Sequence, residues 1–354
     1  MLARGPGFAL AAALLFGAST PFSKALLTEI DPLALAGLLY LSAGIGLFAV
    51  LAGLRMLSAA PRERRAQRAD LPVLIGAVAS GGVIAPALLM FGLVGTGAAT
   101  ASLLLNLEGL ATMTIAWLVV RESVDRRLLL GAAAILAGAA VLGWQGSAAL
   151  GWSALAIAAA CVAWGIDNNL TRKLSIADPV QIAAIKGVAA GVVNCGLSFF
   201  VQGSSVPAFQ NLAAAALIGF MGYGVSLVLF MFALRHIGAA RTSAYFSTAP
   251  FMGAALSIIV LGDKLTAPLA VAGALMAVGV YLHLSERHDH EHVHAVIKHE
   301  HAHRHDEHHE HEHARDDPPG EPHLHAHEHA PLAHSHPHFP DLHHRHRHRS
   351  RLRP

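Results

Sequence analysis

Long apolar runs separated by short polar stretches fill the chain as far as residue 284. Ten can be marked: Phe8–Thr28, Leu33–Leu54, Pro72–Val94, Ala98–Val120, Arg127–Gln145, Gly151–Leu174, Pro179–Val201, Asn211–Leu234, Ala239–Leu261 and Ala267–Leu284. Each holds about twenty residues, the length needed to cross ~30 Å of hydrocarbon. The runs are continuous rather than alternating and rich in Ala, Leu and Gly, which favours helices over an outer-membrane barrel. The pattern predicts an all-α integral membrane protein of ten transmembrane helices. The first run, with Arg4 ahead of it, has the outline of a signal peptide. It lacks a clear small-x-small site followed by a polar start, and it has a counterpart later in the chain.

Charge divides the chain in two. Of 354 residues, 14% are charged, against about a quarter in a soluble domain. Residues 1–284 hold 16 Lys and Arg, 10 Asp and Glu and two His (His236 and His283), a formal +6. Residues 285–354 hold 9 Lys and Arg, 13 Asp and Glu and 23 His, a formal −4. This second part has almost no large apolar side chains to offset chain entropy, so a disordered tail is expected. The two cysteines, Cys161 and Cys195, lie inside apolar runs, which excludes a disulfide framework or a Cys-based zinc site.

Loop charges predict the orientation. With the N-terminus inside, the inner segments carry Arg4; Arg55, Arg62, Arg64, Arg65 and Arg68; Arg121, Arg126 and Arg127; Arg172 and Lys173; and Arg235 and Arg241. The outer ones carry only Lys24 and Lys264. Both termini, and with them the tail, are expected in the cytoplasm, and the protein in the inner membrane.

The two halves repeat one another. Asp31-Pro32 matches Asp178-Pro179, Phe16-Gly17 matches Trp164-Gly165, and Gly97-Ala98-Ala99 matches Gly238-Ala239-Ala240. At that last offset Ser102 falls on Ser243, Glu122 on Asp263, Leu128 on Leu269 and Gly138 on Gly279. Five spans per half is an odd number, so the second half enters the membrane from the opposite side. Two inverted five-helix repeats are a transporter architecture, built for alternating access to a midplane site. The expected units are residues 1–146, residues 147–284 and the tail 285–354.

Residues 8–146 and 151–284 each resemble one repeat of the EamA type, in the drug/metabolite transporter superfamily. The first half carries this in Leu14-Leu15-Phe16-Gly17-Ala18-Ser19 with Pro21 and Lys24, and in Ala99 to Glu108 running on through Trp117 to Arg121-Glu122. In the second half Ala163-Trp164-Gly165 and Gly238-Ala239-Ala240 run on through Ala249-Pro250 to Gly262-Asp263-Lys264-Leu265. The resemblance implies a ten-helix transporter of small organic solutes, in a superfamily that moves amino acids, nucleobases, sugars, amines and drugs. Two positions depart from its pattern. Gly109 stands where Pro often follows the Glu, while Pro250 is kept, and Asp263 replaces the usual Glu.

Ionisable groups within spans are costly and are functional candidates. Glu108 lies near the centre of the fourth span, two residues after Asn106. Its carboxylate would bind a cationic group or carry a proton across; the competing reading is a helix-packing hydrogen bond. Asp167 and Lys186 lie at matching depths on adjacent antiparallel spans, placed for a salt bridge that fixes helix register or acts as a gate. Asn168, Asn169 and Asn194 are near enough in sequence to complete either network. Lys24 is expected to snorkel to the outer interface, His236 and His283 to be interfacial, and Trp117, Trp144, Trp152 and Trp164 to form an aromatic belt. Pro21, Pro86 and Pro250 each free a carbonyl four residues earlier, on Gly17, Gly82 and Phe246. Gly187-x-x-x-Gly191 permits a close helix contact.

The tail repeats His-x-His. The candidate ligands are His288, His290, His292, His294, His299, His301, His303, His305, His308, His309, His311, His313, His323, His325, His327 and His329, with further sets from His334 and His343. An extended chain puts residues i and i+2 on one side. Imidazole and carboxylate without thiolate suit Zn, Ni, Co or Cu. A solvated tail that binds metal incidentally, a metal buffer or sensor, and a pH-responsive tail are the competing readings.

The leading expectation is a secondary transporter exporting a small organic metabolite or drug. The alternative is a divalent-metal transporter for Ni, Co or Zn whose tail collects cytoplasmic metal. No P-loop and no nucleophile–base constellation is present, so neither direct ATP coupling nor enzymatic activity is expected. No cofactor is required, beyond the metal the tail would hold. Expected partners are the lipid bilayer and a small-molecule substrate, with divalent metal ions and a homodimer left open, and no nucleic acid.

Overall fold

The computed structural model describes residues 4–56, 67–120, 126–143, 148–173 and 178–284, together with 291–293, 297–303, 323–329 and 333–335 of the tail. The first half comprises α1 (Arg4–Leu26), α2 (Pro32–Met56), α3 (Leu71–Ala77), α4 (Ala85–Gly95), α5 (Ala98–Leu104), α6 (Leu107–Ile115) and α7 (Arg126–Gly143). The second comprises α8 (Ala148–Lys173), α9 (Pro179–Leu197), α10 (Phe209–Gly219), α11 (Ser226–Phe246), α12 (Ala249–Leu261) and α13 (Ala267–Leu284). π-Helical turns occupy Val78–Ile84 between α3 and α4, Ala116–Val120 after α6, Ser198–Gln202 after α9 and Phe220–Val225 between α10 and α11.

Local chemistry explains the boundaries. The α9 start has Pro179 at its first position and Asp178 as N-cap, whose Oδ1 accepts from the backbone N–H of Val180 (2.9 Å) and Gln181 (3.2 Å). Gly262, at φ 71°, ends α12 in the left-handed conformation that favours glycine.

Among the described residues nine helices are long and apolar enough to cross a membrane. The ninth expected span, Ala239–Leu261, is not one of them. Its first part continues α11 as far as Phe246, and only the 13-residue α12 follows the break at Ser247–Thr248. Pro250 explains the break, since it has no N–H to offer the Phe246 carbonyl. Large apolar side chains such as Phe200, Ile259 and Tyr281 are exposed on the outside of the bundle, where a lipid bilayer, not water, covers them.

The two halves pack as counterparts. The helix α2 lies on its counterpart α9, and α7 on its counterpart α13. Where α1 packs on α11 and α12, α8 packs on α4 and α6, and α5 meets α12 between the halves. Glycines let the paired backbones touch. A methyl at Gly187 would lie 2.8 Å from the Gly44 backbone, and one at Gly279 2.6 Å from the Gly131 carbonyl oxygen.

The described part of the tail comprises four short extended segments: β1 (Glu291–Val293), β2 (Ile297–His303), β3 (His323–His329) and β4 (Ala333–Ser335). β1 pairs with β4 and β2 with β3, both antiparallel. The period-two His-x-His pattern suits extended backbone.

Candidate functional site

The fourth span is interrupted at its middle. After α5 the backbone tightens: the N–H of Asn106 donates to Leu103 O (3.1 Å) and that of Glu108 to Leu105 O (3.0 Å), both three residues back. The Asn106 side chain donates to Leu103 O at 2.9 Å. The ninth span repeats this 142 residues later, where Thr248 N–H donates to Tyr245 O (3.2 Å) and the Thr248 hydroxyl to the same oxygen at 2.6 Å. Discontinuous helices at matching places in two halves are where transporters of this architecture hold their substrates.

Glu108 stands in the first turn of α6, half-buried. Its Oε1 accepts from Asn168 Nδ2 at 3.0 Å, and the same nitrogen lies 3.1 Å from Thr112 Oγ1. Thr112 donates back to the Glu108 carbonyl at 2.9 Å. Asn169 clamps the two helices from the next position, donating to Thr112 O (3.0 Å) and Gly165 O (2.8 Å). Among the described residues no Lys, Arg or His pairs with Glu108. Its charge is within reach of Tyr40, Tyr223 and Cys161.

Aromatic rings form a connected row across the bundle. Tyr40 and Tyr223 have ring centroids 5.4 Å apart, Tyr223 and Phe16 5.7 Å, and Phe16 and Phe246 5.5 Å. The Tyr40 hydroxyl donates to Gly81 O (3.0 Å), and Trp164 Nε1 reaches both that oxygen (3.0 Å) and the Tyr40 oxygen (3.2 Å). The Gly81 carbonyl is available because it lies in the π-helical turn Val78–Ile84.

Asp167 and Lys186 form a separate cluster. Lys186 Nζ lies 2.6 Å and 2.7 Å from the two Asp167 oxygens. Thr171 Oγ1 donates to Asp167 Oδ1 at 2.8 Å and accepts from Lys186 at 3.2 Å. Asp167 lies against Gly81, where a Cβ would overlap its side chain.

The structure thus brings Glu108, Asn168 and Asn169 together and leaves Asp167 and Lys186 to pair with each other. Asn106 is buried, 3.8 Å from Met276 Sδ. Asn194 joins neither network; its Nδ2 donates to Gly82 O and Val83 O, both at 3.3 Å, filling the carbonyl that Pro86 frees. One expectation needs correction. Trp164 is a buried part of the site rather than an interfacial belt residue, because its N–H has the Gly81 carbonyl to bond. Lys24 Nζ closes the end of α4 by donating to Leu93 O (2.5 Å) and Val94 O (3.0 Å). His283 Nε2 contacts Leu128 O at 3.1 Å across the α7–α13 seam. Tyr40, Tyr223, Thr112 and Thr171 escaped the sequence reading; the i, i+4 spacings Glu108–Thr112 and Asp167–Thr171 were the signals for two of them.

Of the tail histidines, His292, His299, His301, His303, His323, His325, His327 and His329 fall on strands. His288, His290, His294, His305, His308, His309, His311 and His313 lie outside the described residues. Among the described residues of the membrane body no group of three or more His, Cys, Asp or Glu is placed to hold a metal ion.

The sequence pattern of the EamA-like transporter family matches residues 3–144 and 151–285. An uncharacterized transporter of Methanothermobacter thermautotrophicus is 29% identical over 288 residues, which are 77% of this chain and 84% of that one. A probable terminal-alkyne amino-acid exporter of Streptantibioticus cattleyicolor is 27% identical over 223 residues, 62% of this chain and 75% of its own. A crystal structure 18% identical in sequence superposes with a TM-score of 0.59 over 80% of this chain and 96% of that one, a likeness of fold.

Proposed function

Because the chain belongs to the EamA-like transporter family, we propose that it exports a small organic solute bearing a protonated amine, in exchange for protons, through a site at Glu108. One observation carries this reading: a half-buried carboxylate in mid-span, held by Asn168, without a cationic partner among the described residues and with its charge within reach of the Tyr40–Tyr223 pair. A carboxylate in such surroundings is costly while bare. It is stabilised by a proton or by a cation, and one oxygen pair cannot hold both. Occupancy by substrate and by proton therefore exclude each other, which is the condition for antiport. The aromatic faces add attraction for an ammonium, worth about 0.5–2 kcal/mol.

The relative described as a probable amino-acid exporter supports an amine-bearing solute. The matched interruptions at Asn106 and Thr248 supply the bending points by which the halves exchange inward-open and outward-open shapes. On this reading the protein sits in the inner membrane with both ends in the cytoplasm, as the loop charges favour.

The test is counterflow in proteoliposomes with labelled neutral and basic amino acids and simple amines, under an imposed pH gradient. Wild type should accumulate at least one amine, driven by the gradient. Glu108→Gln should retain facilitated exchange but lose the drive. Gradient-driven accumulation by Glu108→Gln at the wild-type level would overturn the assignment.

A further inference from the structure

The Glu108 site is open toward one end of the bundle and sealed toward the other. On α8, Ile157, Cys161 and Trp164 stand at helical spacing on one face, and all three are buried. Exposed Leu155, Val162 and Ile166 mark the opposite, lipid-facing side. Asn168 continues the buried face one turn beyond Trp164, yet it is exposed. Its exposure is therefore an opening within the bundle, and solvent reaches the Glu108–Asn168 pair from the end where α6 and α8 finish. Toward the other end every residue of α5 except Thr100 is buried, and α5 packs on α12. Toward the open end α6 and α11 share no comparable contact among the described residues.

Two charged side chains fasten the sealed end, and both act on the turn between α4 and α5. Lys24, near the end of α1, donates to the last carbonyls of α4, Leu93 O (2.5 Å) and Val94 O (3.0 Å). Asp263, in the turn between α12 and α13, accepts from the Ala99 N–H of α5 at 2.8 Å. Gly262, left-handed at φ 71°, turns the chain just before it. Each charge serves a helix end that needs a partner: Gly97, the N-cap of α5, has no side chain to offer. The Asp263 bond joins the second half to the first, and the two charges are within electrostatic reach of one another. We propose that Lys24 and Asp263 form the gate of this end. They hold the α4–α5 turn to α1 and to the α12–α13 turn while the site is open to the other side, and they release it when the passage opens here. By the loop charges this is the outer face. Charge-assisted hydrogen bonds suit the task, because they hold firmly while dry and water takes over their partners when the seam parts. The gate rests on the transporter architecture and goes beyond the amine and proton assignment.

The experiment uses the full chain in sealed membrane vesicles of both orientations, with Cys161→Ala and Cys195→Ala as background. One reporter cysteine is added: Ser102→Cys, buried against Gly253 in the α5–α12 seam, or Asn168→Cys at the opening. A membrane-impermeant maleimide is applied from each face. With the gate intact, Asn168→Cys should label from the inner face and Ser102→Cys from neither. Lys24→Met and Asp263→Ala should each make Ser102→Cys label roughly tenfold faster from the outer face, the shift expected when a hydrogen bond to a charged group is lost from one of two states. Both should slow the labelling of Asn168→Cys from inside, and Asp263→Glu should keep the wild-type pattern. If Ser102→Cys stays protected in either gate variant, the proposal fails. If both reporters gain reactivity together, the fold has loosened rather than a gate opened, and the proposal fails equally. Neither substrate nor a pH gradient enters the assay, so its outcome is independent of the Glu108 assignment.

Discussion

Replacing Lys186 by Met would leave the Asp167 carboxylate with Thr171 as its remaining described polar partner. The ion pair is bidentate, at 2.6 and 2.7 Å, and its side chains keep only 15% and 9% of their exposure. At that burial, removing one partner of a charge pair costs about 3–5 kcal/mol, most of it the desolvation of the charge left behind. For a chain of this size ~1 kcal/mol corresponds to roughly 2–4 °C, so the melting temperature in detergent should fall by about 6–20 °C. Adding Asp167→Asn removes the orphaned charge while keeping shape and one acceptor, and should restore most of the loss. The assay is thermal unfolding of wild type, Lys186→Met, Asp167→Asn and the double variant, with transport measured alongside. If Lys186→Met melts within ~1 °C of wild type, or the double variant is worse than the single, the pair does not brace α8 against α9 as argued. Full stability with transport abolished in the double variant would instead make the pair a gate.

Two further outcomes follow from the geometry. Gly81→Ala should destabilise by about 1–3 kcal/mol, because its methyl would overlap the Asp167 side chain; the loss should shrink in Asp167→Ala, measured by the same melts. Asp263→Ala should cost about 1–2 kcal/mol, since Asp263 Oδ2 accepts from the Ala99 N–H at 2.8 Å at the start of α5, and Asp263→Asn should recover part of it.

The spans were legible because continuous apolar runs leave little else for a chain to do. The repeat was legible from punctuation such as Gly97 and Gly238. Asp167 and Lys186 could be matched by counting inward from a short turn, since both helices rise equally per residue. The aromatic site was harder: within an apolar span, Tyr40 and Tyr223 have no pattern that separates them from lipid-facing rings. Trp164 read as an interfacial anchor for the same reason, and its burial follows from a carbonyl freed by a π-helical turn, which no composition announces. The course of α11 through Arg235 to Phe246 was hidden as well, because the charges that mark a loop also suit a helix leaving the membrane.

The seams between the halves divide into two kinds. In α2 against α9, and α7 against α13, each helix meets its own repeat counterpart. Exchanging the shapes of the two halves carries these seams onto themselves, so they can act as fixed bearings, with backbones already in touch at Gly44–Gly187 and Gly131–Gly279. The seams of α1 with α12 and of α8 with α6 are carried onto one another instead. Whatever opening one gains the other gives up, and a single molecule thereby stores both doors of the passage in one asymmetric set of contacts.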